Sequence, residues 1–147
     1  MWEWLENTPV ATWVGESLWA YPLWLSLHVI GLAIVVGIFA VRDLRLLGLF
    51  RGLAPQAFLA IGKVAWSGFI INAVSGLFLF SSQASTFVHS KPFLIKIACI
   101  ASGMIIAAVI QARLRAGKTA GATRVLGLLS LFAWSGAIVA GRLIAYL

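Results

Sequence analysis

Four apolar runs, each long enough to cross a bilayer, constrain this chain more than any other feature. They lie at about 22–42, 57–81, 93–112 and 124–146, and a hydrocarbon core about 30 Å thick takes about 20 helical residues. Inside lipid only helices and closed barrels satisfy their backbone polar groups. A membrane barrel alternates apolar and polar residues in segments of about ten, whereas these runs are continuous, so helices are predicted. Composition agrees: 62% of the 147 residues are hydrophobic and 10% are charged, where soluble domains carry roughly a quarter charged residues. A soluble enzyme is excluded, and so is a disordered chain, which would be poor in the apolar types that dominate here. The expected fold class is all-α: one domain over 1–147, an integral-membrane antiparallel four-helix bundle with a short interfacial N-terminal segment.

A net charge of +7 would suggest nucleic acid in a soluble protein, but its distribution gives it another meaning. The first and third connections, RDLRLLGLFRGLAPQ and ARLRAGKTAGATR, are rich in Arg, while the second, SSQASTFVHSKP, is polar and nearly uncharged. Arg42, Arg45, Arg51, Lys63, Arg113, Arg115, Lys118 and Arg124 therefore fall on one side, and Lys91, Lys96 and Arg142 on the other. The positive-inside rule places the first group in the cytoplasm and both termini outside it. Glu3, Glu6 and Glu16 lie outside and only Asp43 inside, so the whole net charge sits on the cytoplasmic face. The lipid bilayer is the expected partner, and no nucleic acid is expected. Asp43, a single acid among those bases, is expected to pair with Arg45, Lys63 or Arg124 and pin the helix ends. The opening MWEWLENTPV starts with acids and has no basic n-region, which predicts an uncleaved first helix.

Trp2, Trp4, Trp13, Trp19, Tyr21 and Trp24 crowd the N-terminal segment. They predict an aromatic belt at the headgroup level, with a lid over the outer helix ends as the other reading. Small residues recur in the runs, among them Gly31 and Gly37, Gly68 and Gly76, Gly103 and Ala107, Gly136 and Ala140. Such residues let helices approach closely in lipid; whether the contacts form within the chain, in a homo-oligomer or with a larger respiratory complex is left open by spacing. Cys99 stands alone and is expected to pack as a small hydrophobe.

Ionisable residues inside a span are functional candidates, because burying them in lipid is costly. His28 falls five residues into the first run, roughly 8 Å from its outer end. Lys96 and Arg142 lie near the outer ends of the third and fourth runs, and His89 and Lys91 in the connection above them. Two chemistries fit this layer. His28 and His89 are candidate iron ligands for a b-type haem, with Lys96 and Arg142 meeting its propionates. Alternatively the layer receives a quinone, with His28 donating a hydrogen bond or proton. Set beside both is a plain packing role for His28, with Lys96 and Arg142 snorkelling toward phospholipid. No spacing matches a zinc site, a phosphate loop, a nucleophile elbow or paired carboxylates. The expectation is a small inner-membrane electron-transfer protein rather than a stand-alone enzyme; the alternative is a non-catalytic accessory or assembly subunit of a larger membrane complex.

The stretches YPLWLSLHVIG, DLRLLGL, FVHSKPFLIK and AGRLIAY carry a resemblance. From about Trp13 to Tyr146 the chain resembles a family of small four-helix bacterial inner-membrane proteins of unknown function. The resemblance implies that His28, Asp43, Arg45, His89, Lys96 and Arg142 are signature positions. A fainter similarity is to the transmembrane domain of copper-resistance D proteins.

Overall fold

The computed structural model describes residues 2–147. Its helices are α1 (Glu3–Glu6), α2 (Pro9–Glu16), α3 (Ala20–Leu46), α4 (Ala57–Ser81), α5 (Ala84–His89), α6 (Lys91–Arg115) and α7 (Ala122–Leu143). Among the described residues there is no strand. The four long helices α3, α4, α6 and α7 are each long and apolar enough to cross a membrane, so the chain is a multi-pass membrane protein built as an all-α four-helix bundle. Each spans its predicted run, with α3 and α6 extending a few residues further and α7 stopping short at Leu143. The short helix α5 was not legible as one, since its six residues ASTFVH show no helical period. It ends where Ser90 caps the next helix, the Ser90 hydroxyl accepting from the Phe93 N–H at 3.4 Å, with Pro92 in the first turn, where no N–H is needed.

Packing runs through two hairpins. Helix α3 lies along α4, α6 lies along α7, and the pairs join chiefly through α3 and α7, while α4 and α6 touch little. Lipid is as apolar as Leu, so these contacts are set by close approach. A Cβ on Gly31 would lie 2.6 Å from the Asn72 backbone N and 2.7 Å from the Gly68 carbonyl O, so the α3 and α4 backbones meet there. The Trp134 indole of α7 fills the space over Gly103 of α6, where a Cβ would come within 3.0 Å of it. Val35, Phe39, Ala65, Ala107 and Trp134 form the central core, and Leu46, Phe58, Ile110 and Leu114 a second cluster toward the Arg-rich connections. We call that end of the bundle the basic end and the other the α5 end. At the basic end Gln111 of α6 donates to the Leu59 carbonyl of α4 at 3.4 Å.

The N-terminal helices close over the α5 end. Thr8 caps α2, accepting from the Ala11 N–H at 3.2 Å, and Ala11 and Val14 are buried where α2 packs on α3 and α4. Trp4, Trp13 and Trp19 stay exposed, as an interfacial belt requires. One Glu6 carboxylate oxygen accepts from both the Ser85 N–H, at 2.8 Å, and the Ser85 hydroxyl, at 2.6 Å, clasping α1 to α5. The segment thus leaves Trp4, Trp13 and Trp19 exposed and fastens α1 to α5 through Glu6.

The Ser85 hydroxyl, and after it the Ser85 N–H, holds Glu6 below its usual value of 4.5. A carboxyl with a lowered folded pKa contributes stability above its unfolded value and loses it as pH falls through the folded value. Acidification below about 4.5 is therefore expected to release α1, seen as a change in tryptophan emission. Glu6→Gln should lack that acid transition, and a flat response in the unaltered protein would count against the clasp.

The one ion pair among the described residues corrects the expectation for Asp43. Its partner is the adjacent Arg42, at 2.7 Å, with both side chains buried, 1% and 0% exposed. Arg45 instead donates to the Leu53 carbonyl, and Lys63 and Arg124 are exposed.

Candidate functional site

His28 lies two turns into α3 and faces α4, where Asn72, Ser75 and Gly76 share one helical face at spacings of three and four. Gly76 makes room: a Cβ there would sit 3.0 Å from the His28 ring. The His28 Nδ1 is 2.9 Å from the Asn72 carbonyl O and 3.3 Å from the Ser75 hydroxyl. A carbonyl only accepts, so Nδ1 carries the proton and Nε2 the lone pair. In return, the Asn72 side-chain amide donates to the His28 carbonyl at 2.7 Å. These reciprocal bonds fix both the ring's tautomer and its orientation.

Lys96 arrives from α6. Its Nζ is 3.4 Å from the His28 Nε2 and donates to it, while its methylene stem lies over Gly141 of α7, whose missing side chain leaves the passage. Among the described residues no carboxylate pairs with Lys96. Both His28 and Lys96 are half-buried. The pair lies between α4, which holds His28, and Gly141 of α7, over which Lys96 passes.

The remaining predicted residues have other partners. His89 is exposed at the end of α5 and its Nδ1 donates to the Ser85 carbonyl at 2.8 Å. Arg142 is exposed, with its guanidinium 5.6 Å from the Tyr146 ring centre. The structure therefore brings His28 and Lys96 together and adds Asn72 and Ser75, which sequence reasoning passed over. Asn72 had a signal: an amide in a lipid-spanning run is costly unless bonded.

No protein-family model, curated protein or solved structure matches this chain. The reading of the site rests on its own geometry. Among the described residues no group of three or more His, Cys, Asp or Glu side chains converges as a metal cage would require. What His28 and Lys96 present jointly is a donor beside an acceptor: an ammonium with N–H to give and an imidazole nitrogen with a lone pair. Such a pair can hold a carbonyl or take up a hydroxyl proton.

A second polar centre lies toward the basic end. The Arg42 Nε donates to Asp43 Oδ1 at 2.8 Å, and Nη2 reaches the Ser130 hydroxyl of α7 at 3.5 Å. The guanidinium also stacks 4.6 Å from the Phe39 ring centre. Arg42 Nη1, Asp43 Oδ2 and Trp134 Nε1 are buried without a hydrogen-bond partner. This centre joins α3 to α7.

Proposed function

We propose that this is a small inner-membrane electron-transfer protein that receives a quinone from the bilayer at the His28–Lys96 pair. The observation that carries the reading is the His28 Nδ1 bond to the Asn72 carbonyl at 2.9 Å, which leaves the Nε2 lone pair directed at Lys96. Lys96 turns from His28 Nε2 to donate to a quinone carbonyl, which frees Nε2 to accept one hydroxyl proton of the reduced form, while its two electrons pass to a partner redox protein and its second proton to water. The protonated imidazole that results keeps its Nδ1 bond to Asn72, so the ring does not turn during proton transfer. By the positive-inside rule the basic end faces the cytoplasm and the pair lies toward the outer surface, within reach of periplasmic electron donors or acceptors.

A b-type haem is the second reading, favoured by the same bond. Histidines that ligate a metal characteristically give their other N–H to a carbonyl or carboxylate, and His28 is held in that way. His89 likewise donates its Nδ1 proton to a carbonyl, but from α5, and Lys96 stands at the His28 Nε2. Haem held by both histidines therefore requires Lys96 to withdraw and α5 to bring His89 inward. A haem supplies one-electron chemistry when bound; this chain's residues would contribute ligation by His28 and charge balance from Lys96 and Arg142.

Purified protein in detergent separates the readings. A short-chain quinone is expected to quench tryptophan emission saturably, with affinity falling tenfold or more in His28→Ala and Lys96→Met, since a hydrogen bond to a charged group is worth about 1.5–3 kcal/mol. Haem bands in a reduced-minus-oxidised spectrum, abolished in His28→Ala, would replace the quinone reading with the second. Neither signal would sink both.

A further inference from the structure

The α5 end holds a groove that the His28 site does not use. It runs between α6 and α7 with a volume of about 380 Å³, its walls formed by Ile95, Val139, Leu143 and Leu147, its floor by Gly136, and Lys91 at its mouth. The floor is shallow for a sequence reason: α7 presents Gly136 and Ala140 one turn apart, and Cys99 of α6 packs closely on Gly136. From Leu143 down to Gly136 is about 10 Å of helix, against roughly 15 Å for one leaflet of the hydrocarbon core. The groove is therefore apolar and runs along about two thirds of a leaflet, with Lys91 in its lining at the interfacial end.

The charges at the mouth select the headgroup. Lys91 and Arg142 are both exposed at this end, and neither α6 nor α7 contains an Asp or Glu. The acids of this end, Glu3, Glu6 and Glu16, belong to the N-terminal segment, which packs on α3, α4 and α5, and Glu6 is already held by Ser85. Lys91, which lines the slot, and Arg142, on the helix that forms one side of it, thus have no ion-pair partner among the described residues. We infer that the α6–α7 groove binds one anionic phospholipid, an acyl chain lying in the slot and Lys91 on the phosphate, with Arg142 adding to the local field. Lys96 leaves α6 in another direction, toward His28, so this lipid site and the proposed quinone site are separately testable.

The test uses the full chain in a neutral maltoside detergent, mixed with phosphatidylglycerol or phosphatidylcholine and measured by native mass spectrometry. One Lys or Arg near an anionic surface contributes about 1 kcal/mol, which is about fivefold in affinity. Phosphatidylglycerol is therefore expected to remain bound at least fivefold more than phosphatidylcholine. Lys91→Gln should bring it down to the phosphatidylcholine level. Val139→Trp, at a position 59% exposed, fills the slot without entering the core and should remove adducts of both lipids. Equal retention of the two lipids by the unaltered protein, a preference that survives Lys91→Gln, or adducts that survive Val139→Trp would each overturn the proposal. Lys91 is exposed in the first turn of α6, so its replacement leaves the fold in place, which the thermal midpoint checks.

Discussion

Replacing Asp43 with Ala is expected to destabilise the detergent-solubilised protein by about 3–5 kcal/mol, because it strands the Arg42 guanidinium in a dry interior. Arg42 is 1% exposed. Apart from Asp43 it has only a 3.5 Å contact with Ser130 and the face of Phe39, and its Nη1 has no partner even with Asp43 present. The geometry separates the pair's net worth from the damage of halving it. Two charges were removed from water to make two short contacts with a single oxygen, from Nε at 2.8 Å and Nη2 at 2.7 Å to Asp43 Oδ1, and both Arg42 Nη1 and Asp43 Oδ2 remain unsatisfied. A buried pair so incompletely bonded is worth little compared with apolar residues of similar volume. The double variant Arg42→Met, Asp43→Leu is therefore expected to recover most of what Asp43→Ala loses. Denaturant unfolding of Arg42→Met, of Asp43→Leu and of the double variant, beside Asp43→Ala, measures this directly. Losses that simply add would show that the two residues act independently, contrary to the geometry.

Why sequence reasoning gave Asp43 the wrong partner is instructive. Asp43 is a lone acid among eight bases at that end, and adjacent residues on a helix diverge by about 100°, so nothing in the sequence favours Arg42 over Arg45, Lys63 or Arg124. The Arg side chain is long enough to fold back around its own helix, and α7 leaves the space, with Gly127 beside the Asp43 backbone and Ser130 beside the guanidinium. That space is a property of packing, and a single helix does not display it. The spans themselves were nearly fully legible, because bilayer thickness fixes their length and lipid fixes their composition. The site was half legible. His28 and Lys96 stood out as ionisable groups in apolar runs, but their convergence at 3.4 Å depends on which helices are neighbours. His89 and Arg142 fall near the same end in sequence yet turn to Ser85 and Tyr146. Proximity along the membrane normal does not determine direction around the bundle axis.

Neighbourhood is decided by the glycines, and one of them should be intolerant of a single methyl group. Gly31→Ala is expected to lower stability by about 2 kcal/mol: overpacking costs up to about 3 kcal/mol, of which the better helix propensity of Ala offsets about 1. The atoms that a Cβ would meet are the Asn72 N, the Gly68 carbonyl O and the Asn72 Cα, at 2.6, 2.7 and 3.0 Å. All belong to the α4 backbone and none can rotate away, so the helices must part. Gly37, six residues along the same helix, provides the control. A Cβ there meets nothing within 4 Å, so Gly37→Ala should stabilise by about 0.5–1 kcal/mol. The same substitution on one helix thus has opposite signs, read as opposite shifts of the thermal midpoint. Parting α3 from α4 at Gly31 also displaces Asn72, whose carbonyl and side-chain amide both hold His28. Gly31→Ala is therefore expected to weaken ligand binding at the His28–Lys96 pair, although Gly31 itself has no polar side chain to offer a ligand. Gly37→Ala should leave binding unchanged. If Gly31→Ala lost stability and still bound normally, the orientation of His28 would not depend on Asn72, and the tautomer argument behind the proposed function would lose its support.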